Sequence, residues 1–350
     1  MDGKIRLIID TDPGQDDAAA ILMAHGLAKR GLIDFMALTA VAGNVGLNHT
    51  SANARIICDW AGRKDFPVYA GAGKPLLRDL VTAEEVHGKT GLDGVALHDS
   101  ECPLQSVHAV DYLIRTLRGA ERGSITLCPI GPLTNIALAF SLAPDIADAV
   151  KNIVLMGGCY FEAGNITPCA EFNFYVDPHA AQIVLQSGAP ITILPLDVTH
   201  KAQITTPRMD MLRRLGNTNG PRLADILQSY ERYDIQAFGL EGGPLHDPCA
   251  VAFAVFPELF RGKACRVDVD TQSELSLGAC SVDWRGTTGK PALPPGSRAH
   301  WRASSPTSST PTASAPTACA ARCPCPPWPR CTTSSTTTSP PPTGAPWRCG

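Results

Sequence analysis

Long hydrophobic runs and an excess of charge of one sign are both absent from this 350-residue sequence. No stretch of about 18 apolar residues occurs, so the sequence predicts no membrane-spanning helix. Lys and Arg number 30 against 33 Asp and Glu, a formal net charge of −3. Because nucleic acids and anionic membranes bind basic surfaces, this balance gives no basis for either partner. We therefore expect neither a nucleic acid nor a membrane as partner.

Paired cysteines at zinc spacing are also missing, although the chain has 13 cysteines. None forms a CxxC pair with a second pair at the distance that structural zinc sites use. The first residues lead directly into an apolar run, without the pattern of a signal peptide. We therefore expect reduced thiols and a cytoplasmic protein.

The composition changes near residue 291 and divides the chain into two parts. Residues 293–350 contain no Asp, Glu, Lys, Val, Ile, Met or Phe, and most of them are Pro, Ser, Thr, Ala and Cys. Such a segment buries too little apolar surface to offset its ordering entropy, so residues 291–350 are predicted to be a disordered tail. Out-of-frame translation of a GC-rich gene produces this composition, and we favour this frameshift over a mucin-like stalk. Residues 1–290 are expected to form the folded domain.

The most informative segment is an acidic motif near the N-terminus. The apolar run Leu7–Ile9 ends at Asp10 and Asp12, and a Pro-Gly turn separates these carboxylates from Asp16 and Asp17. The run predicts a buried strand, and the residues after the turn predict a helix. Acidic residues in the first turn of a helix complement its dipole, which explains the second pair but not the first. Four carboxylates at such a junction are costly without a cation, so the motif predicts a metal site.

Short apolar runs alternate with helical patterns in residues 1–290, which predicts a single α/β domain with a mainly parallel sheet flanked by helices. The expected strands are Ile5–Ile9, Phe35–Val41, Val68–Ala70, Ser124–Cys128, Asn152–Met156 and Ile191–Leu196. The expected helices are Ala18–Arg30, Asn48–Ala61, Ser106–Ala120, Leu133–Phe140, His179–Ser187, Asp225–Phe238 and Pro248–Phe256. Residues 267–269 and 279–284 are expected to pair as a hairpin. Loops at the carboxyl ends of parallel strands converge, so one functional face is predicted.

Isolated polar residues occur in the predicted loops. They are Asn44, His87, Asn165, Glu171, Asn173, His246 and Asp247. Each has an ordinary structural explanation: Asn44 suits a turn, for example, and Asp247 suits the N-cap of a helix beginning at Pro248. Together they provide what a polyhydroxylated ligand on a metal requires, namely carboxylates for the ion, amides for hydroxyl groups and histidines for proton transfer.

Several segments of the sequence resemble the inosine–uridine-preferring nucleoside hydrolase family. They are DTDPGQDDAAAI, VAGN, HGKTGLDG, LCPIGPLTNIA, MGG, GNITPCAEFNFYVDP and PLHDPCA, in the family's order across residues 5–255. The resemblance implies a single α/β domain, a calcium ion in the active site, and a homodimer or homotetramer. It also implies an enzyme of nucleoside salvage or catabolism that hydrolyses the N-glycosidic bond of ribonucleosides to ribose and free base.

The resemblance further implies roles for individual residues. The calcium ligands correspond to Asp12, Asp17, Asp247 and the main-chain carbonyl of Ile130. The ribose-binding residues correspond to Asp16, Asn44, Met156, Asn165, Glu171 and Asn173. Asp10 fits support of the metal site better than direct ligation.

The implied mechanism makes Asp12 the general base, which takes a proton from a calcium-polarised water before attack on the anomeric carbon. His246 is expected to protonate or hydrogen-bond the departing base, with assistance from His87. The pocket for the base is expected around Tyr230–Leu245, where Tyr233 and Phe238 could stack on it. His246 also favours acceptance of both inosine and uridine.

Two alternatives remain. The Asp10-Thr11-Asp12 segment after a strand is similar to the nucleophile motif of haloacid-dehalogenase-type phosphatases, although Asp16 and Asp17 would repel a phosphate. The second alternative is a non-catalytic nucleoside-binding relative, or a gene product damaged by the frameshift.

Overall fold

Parallel strands dominate the computed structural model, which describes residues 4–293 and 298–303. In chain order the strands are β1 (Ile5–Thr11), β2 (Ile33–Ala40), β3 (Val68–Ala70), β4 (Leu104–Gln105), β5 (Ile125–Pro129), β6 (Val150–Met156), β7 (Ile191–Leu194), β8 (Gln203–Ile204), β9 (Gly243–Pro244), β10 (Phe260–Lys263), β11 (Arg266–Val269), β12 (Cys280–Asp283) and β13 (Arg298–Ala303). One nine-stranded sheet has the order β10-β13-β7-β6-β5-β1-β2-β3-β4. Its neighbours pair in parallel, except for the antiparallel pair β10 and β13 among these described strands. The hairpins β11–β12 and β8–β9 are separate.

Helices connect the strands. They are α1 (Gln15–Lys29), α2 (Leu47–Trp60), α3 (Glu84–His87), α4 (Ala109–Arg118), α5 (Thr134–Leu142), α6 (Phe172–Val176), α7 (Pro178–Leu185), α8 (Leu196–Thr199), α9 (Thr206–Arg213), α10 (Asn219–Phe238) and α11 (His246–Val255). Two short 3-10 helices span Pro144–Ala149 and Pro257–Leu259.

Both faces of the sheet are buried, which explains why apolar residues occupy consecutive positions in its central strands. Leu7 and Ile9 of β1 pack in a hydrophobic cluster with α1, α2 and α11. Ile8 packs in a second cluster with α4, α5 and α7. Successive side chains of a strand point to opposite faces, so a strand that is covered by helices on both sides has no polar face.

The position of β1 in the sheet decides where a ligand can bind. It lies between β2 and β5, with β3 and β4 following on one side and β6 and β7 on the other. The order of the strands therefore reverses between β1 and β5, and open α/β sheets bind ligands outside the carboxyl ends of their strands at such a point. Since β1 ends at Thr11, Asp12 is the first residue beyond that edge.

The predicted α/β fold is confirmed: each expected strand and helix is present, β3 with the predicted bounds and the others with shifted ends. Helix α1 begins at Gln15 rather than Ala18, because the Asp17 carboxylate accepts a hydrogen bond of 2.9 Å from the Gly14 N–H and so stabilises an earlier start. Helix α11 begins at His246, which places Asp247 inside the first turn. The N-cap explanation of Asp247 is therefore wrong.

The segment for which the composition predicts disorder is described in part. Arg298–Ala303 forms β13, so the expectation of disorder does not hold for these six residues. Strand pairing uses main-chain groups, and β13 pairs with both β7 and β10 despite the unusual composition. Residues 294–297 and 304–350, which the frameshift hypothesis concerns, lie outside the described residues. Within the described residues, no helix is long and apolar enough to cross a membrane.

Candidate active site

Loops beyond β1, β2, β5 and β6 meet in a cavity at the carboxyl edge of the sheet. Its lining includes Asp16, Asn44, Glu85, His87, Ile130, Met156, Asn165, Glu171, Asn173, His246 and Asp247. The structure thus brings together the residues that the sequence assigns to the site. Two further assigned residues, Asp12 and Asp17, interact with residues of this lining.

Three carboxylates converge at this cavity. Carboxylate oxygens of Asp16, Asp17 and Asp247 all lie within 4.8 Å of one another, and all three residues are buried. Asp16 and Asp17 begin α1, and Asp247 lies in the first turn of α11, which packs against α1. Burial and the neighbouring carboxylates hold the pKa of Asp247 well above its usual range. The cluster is therefore costly to ionise unless a positive charge joins it.

Asp12 adds a fourth buried carboxylate. Its Oδ2 accepts a hydrogen bond of 2.8 Å from the Asn44 N–H, whereas its Oδ1 is buried without a hydrogen-bond partner among the described residues. A Cβ at Gly43 or Gly131 would collide with this carboxylate, so two glycines shape the space around it. Burial above all, and then the charge of Asp17, raise the pKa of Asp12 well above its usual range. A donor set of oxygens alone, one of them unpartnered, fits a hard divalent cation.

Hydrogen bonds also fix Asp17 and Asp10 of the acidic motif. The Thr11 hydroxyl donates to Asp17 Oδ1 at 2.5 Å, and Asn44 Nδ2 donates to Asp17 Oδ2 at 3.4 Å. Asp10 accepts from Asn135 Nδ2 at 3.0 and 2.9 Å. Burial raises the pKa of Asp10 to about 8. The contacts of Asp10 are those of a residue that supports the motif from within the fold.

Two asparagines tie the neighbouring loops together. Asn173 Nδ2 donates to the main-chain carbonyls of Ile130 at 3.0 Å and Met156 at 3.3 Å, which links the ends of β5 and β6. A carbonyl oxygen has two lone pairs, so this bond leaves Ile130 able to bind a second group. Asn165 Oδ1 accepts a hydrogen bond of 2.9 Å from the Phe172 N–H. Both asparagines therefore organise the loop after β6 as well as line the cavity.

Glu171 is held entirely by main-chain donors. Its carboxylate accepts hydrogen bonds from the N–H groups of Gly158 at 2.8 Å, Asn173 at 2.8 Å and Phe174 at 3.1 Å, which makes it the N-cap of α6. Burial outweighs these bonds and raises the pKa of Glu171 to about 7.

Two buried histidines also line the cavity. His246 Nδ1 lies 2.7 Å from the Thr199 hydroxyl, and the ring of His200 lies 5.7 Å away between centroids. His87 Nδ1 lies 2.6 Å from Gln15 Oε1. Burial lowers the pKa of His87 to about 4 and that of His246 well below its usual range. Both rings are therefore neutral near pH 7.

The residues expected to hold the base are described only in part. Phe238 packs on the ring of His200, with 4.7 Å between centroids. The side chain of Tyr233 lies outside the described residues.

The site can now be compared with known proteins. The sequence profile of a family described as "Inosine-uridine preferring nucleoside hydrolase" matches residues 7–304. The chain belongs to this family. It is therefore a ribonucleoside hydrolase, and the family assignment decides against the phosphatase alternative.

Individual relatives of this nucleoside hydrolase agree with the assignment. The chain is 45% identical over 287 residues to the pyrimidine-specific ribonucleoside hydrolase RihA of Shewanella oneidensis, a match that covers 82% of this chain and 89% of the relative. The plant nucleoside hydrolase PpNRh1 is similar in structure, with a TM-score of 0.77, 32% identity, and coverage of 85% of this chain and 94% of the other. A purine-preferring ribonucleoside hydrolase of Gardnerella vaginalis has a TM-score of 0.78, 31% identity, and coverage of 85% and 93%.

Three polar residues of this nucleoside hydrolase hold site residues in place and were not predicted from the sequence. Gln15 contacts His87, Thr199 contacts His246, and Asn135 contacts Asp10. Gln15 lies within the acidic motif, and this position could have identified it as a candidate site residue. Thr199 and Asn135 follow no recognisable spacing, because their partners are distant in the sequence.

Replacement of Glu171 with glutamine should weaken a pH dependence of stability. From its ordinary value of 4.5 the pKa of Glu171 rises to about 7 in the folded protein. The folded chain therefore holds an extra proton between these values, and its stability falls as the pH rises through them, by about 3 kcal/mol in all. We expect Glu171→Gln to be less stable at pH 5, because an amide N–H would face a main-chain N–H, but to lose less stability towards pH 8.

Urea unfolding at several pH values measures this difference. Glu121→Gln, at an exposed position, serves as the matched control and should keep the slope of the unaltered protein. Parallel pH profiles for the unaltered protein and Glu171→Gln would contradict the prediction.

Proposed function

We propose that this nucleoside hydrolase depends on calcium and cleaves the N-glycosidic bond of ribonucleosides with Asp12 as the general base. The observation that carries the proposal is the buried Oδ1 of Asp12, which has no partner within the described part of the chain. The negative charges of Asp17 and Asp16, two members of the three-carboxylate cluster, act on the Asp12 carboxylate. An ion at this place would satisfy the orphan oxygen and offset the repulsion at once.

The proposed calcium ligands are the carboxylates of Asp12, Asp17 and Asp247 and the carbonyl of Ile130. These donors are all oxygens, which calcium prefers to the nitrogen and sulfur ligands that zinc selects. When bound, calcium supplies a Lewis acid that makes a water more acidic and holds sugar hydroxyl groups.

Asp12 is suited to remove the proton from the attacking water. The Asn44 N–H holds its Oδ2, so Oδ1 is the oxygen that would be left to hold the ion or to accept a proton. Asp12 would be ionised beside the calcium ion, and an ionised carboxylate is the form that accepts a proton.

The ribose lies among the remaining polar residues of the cavity in this proposal. The sugar-binding residues are Asp16, Asn44, Met156, Asn165, Glu171 and Asn173. Cleavage of an N-glycosidic bond builds positive charge on the sugar, as in other glycosidases, and the carboxylates of Asp16 and Glu171 favour that charge. Calcium that held the 2′-hydroxyl would make 2′-deoxynucleosides poor substrates.

His246 is the residue proposed to protonate or hydrogen-bond the departing base. Thr199 holds its Nδ1, so Nε2 is the nitrogen left for the substrate. The proposed substrates include uridine, since the Shewanella oneidensis relative is named pyrimidine-specific. They also include inosine, because the presence of His246 favours acceptance of both nucleosides. A homodimer or homotetramer in the cytoplasm completes the proposal, as the family resemblance implies.

Asp12→Asn should abolish the hydrolysis of uridine and inosine. Loss of a general base costs roughly a hundredfold to ten-thousandfold in rate, and loss of an ion ligand adds to it. Release of free base from each nucleoside measures the effect. Asp34→Asn, at an exposed position of β2, is the control and should be fully active. Normal turnover by Asp12→Asn would contradict the assignment of the general base.

His246→Ala should slow natural nucleosides far more than p-nitrophenyl riboside. Nitrophenolate leaves without a proton, so it does not need the acid, whereas a nucleobase does. The ratio of the two kcat/KM losses is the measurement, with His98→Ala at an exposed position as control. Equal losses on both substrates would remove His246 from the acid role.

A further inference from the structure

The single-turn helix α8 fixes the place of His246. The chain that leaves α8 runs antiparallel to the chain that enters α11, because β8 pairs with β9. The N–H of Leu245, one residue before His246, donates to the Ala202 carbonyl at 2.8 Å. The main chain on the amino side of His246 is therefore tied to the turn that follows α8.

Helix α8 is anchored on its other side as well. The Asp197 carboxylate accepts hydrogen bonds from the N–H groups of Tyr160 at 3.0 Å and Phe161 at 2.8 Å. The Leu196 N–H donates to the Gly158 carbonyl at 3.0 Å. These contacts join α8 to the loop after β6, so α8 has a support that is separate from α11.

Thr199, the last residue of α8, contacts the ring of His246. Thr199 is 0% exposed, and its Oγ1 lies 2.7 Å from His246 Nδ1. A threonine in a helix often donates its hydroxyl to the carbonyl one turn earlier. Here the Pro195 carbonyl accepts the Thr199 N–H at 3.1 Å, and His246 is the sole hydrogen-bond partner of the hydroxyl within the described part of the chain.

That single contact determines which ring nitrogen carries the proton. A hydroxyl has one proton to donate, and a buried donor without an acceptor is unfavourable. If His246 Nδ1 donated to Oγ1, the hydroxyl proton of Thr199 would have no acceptor among the described residues. The hydroxyl must therefore donate, and Nδ1 must accept. A ring nitrogen that accepts carries no proton, so the proton of His246 is on Nε2.

We propose that Thr199 is a positioning residue: its hydroxyl holds the ring of His246 and keeps the ring proton on Nε2, where it can hydrogen-bond the departing base. The tautomer follows from the contacts of Thr199. Its effect on catalysis rests on the proposed function, which assigns the departing base to His246. Without the hydroxyl the proton is free to move to Nδ1, and a ring in that form has none to offer from Nε2.

Thr199→Val removes the hydroxyl and keeps the branched shape of the side chain. We expect kcat/KM for uridine and inosine to fall roughly fivefold to tenfold, the loss of about one hydrogen bond. The activity on p-nitrophenyl riboside should fall less than about twofold, because nitrophenolate leaves without a proton. Thr199→Ser, which keeps the hydroxyl, should recover most of the activity on nucleosides.

Thr192→Val is the matched control. Thr192 is also buried, and its hydroxyl accepts from Asn152 Nδ2 at 3.0 Å, within the strand that precedes α8. The same change of side chain there should leave the ratio of activities on uridine and p-nitrophenyl riboside as in the unaltered protein. Equal losses on both substrates in Thr199→Val, or no recovery in Thr199→Ser, would overturn the positioning role.

Nitrogen NMR of the full chain, labelled with 15N-histidine, tests the tautomer at pH 7.5. The sequence has nine histidines, and His246→Phe identifies the signals of His246 by their loss. We expect a protonated Nε2 and an unprotonated Nδ1, and a mixture of both tautomers in Thr199→Val. A proton on Nδ1 of the unaltered protein, alone or together with one on Nε2, would overturn the proposal.

These outcomes are distinguishable from failure of the proposed function. The NMR measurement needs no turnover, so it reports the tautomer even if His246→Ala loses activity equally on both substrates. Conversely, a proton on Nδ1 in an enzyme whose His246→Ala variant spares p-nitrophenyl riboside would overturn this inference alone.

Discussion

Repulsion among buried carboxylates is the constraint on which the rest of this structure depends. Asp12, Asp16, Asp17 and Asp247 are at most 4% exposed, and burial with mutual repulsion raises the pKa of both Asp12 and Asp247. Burying like charges costs several kcal/mol unless a counter-charge is present. The fold accepts this cost at one place, outside the end of its central strand, where the strand order reverses. A cost of this kind at a switch point indicates a site maintained for function rather than for stability.

Hydrogen bonds within the protein orient the other polar residues of the cavity. Main-chain N–H groups hold Glu171, and Asn173 links the ends of two strands, so hydrogen bonds within the protein already orient this wall of the cavity. Such preorganisation matters because groups that are already oriented need no rearrangement when charge develops. The two histidines have neighbours that orient them differently: a hydroxyl for His246 and an amide oxygen for His87.

The sequence predicts the parts of the site that local pattern determines. An apolar run that ends in carboxylates, followed by a Pro-Gly turn, has few stable structures, and so the strand, loop and helix around Asp12 were predictable. The partners of the histidines were not, because Gln15 and His87 are 72 positions apart and Thr199 and His246 are 47 apart. Such contacts depend on how loops of distant strands meet. The strand β13 was missed for a related reason, since main-chain pairing is indifferent to the composition that predicted disorder.

Calorimetric titration of the metal-free protein with calcium tests the central claim most directly. Because Asp12 and Asp247 hold protons more tightly than ordinary carboxylates, binding of the ion near pH 7 should release protons. Titrations in buffers of different ionisation enthalpy count the protons released. The account predicts one calcium per chain, bound with proton release that falls in Asp12→Asn and Asp247→Asn. Absence of binding, or binding that neither variant weakens, would contradict it.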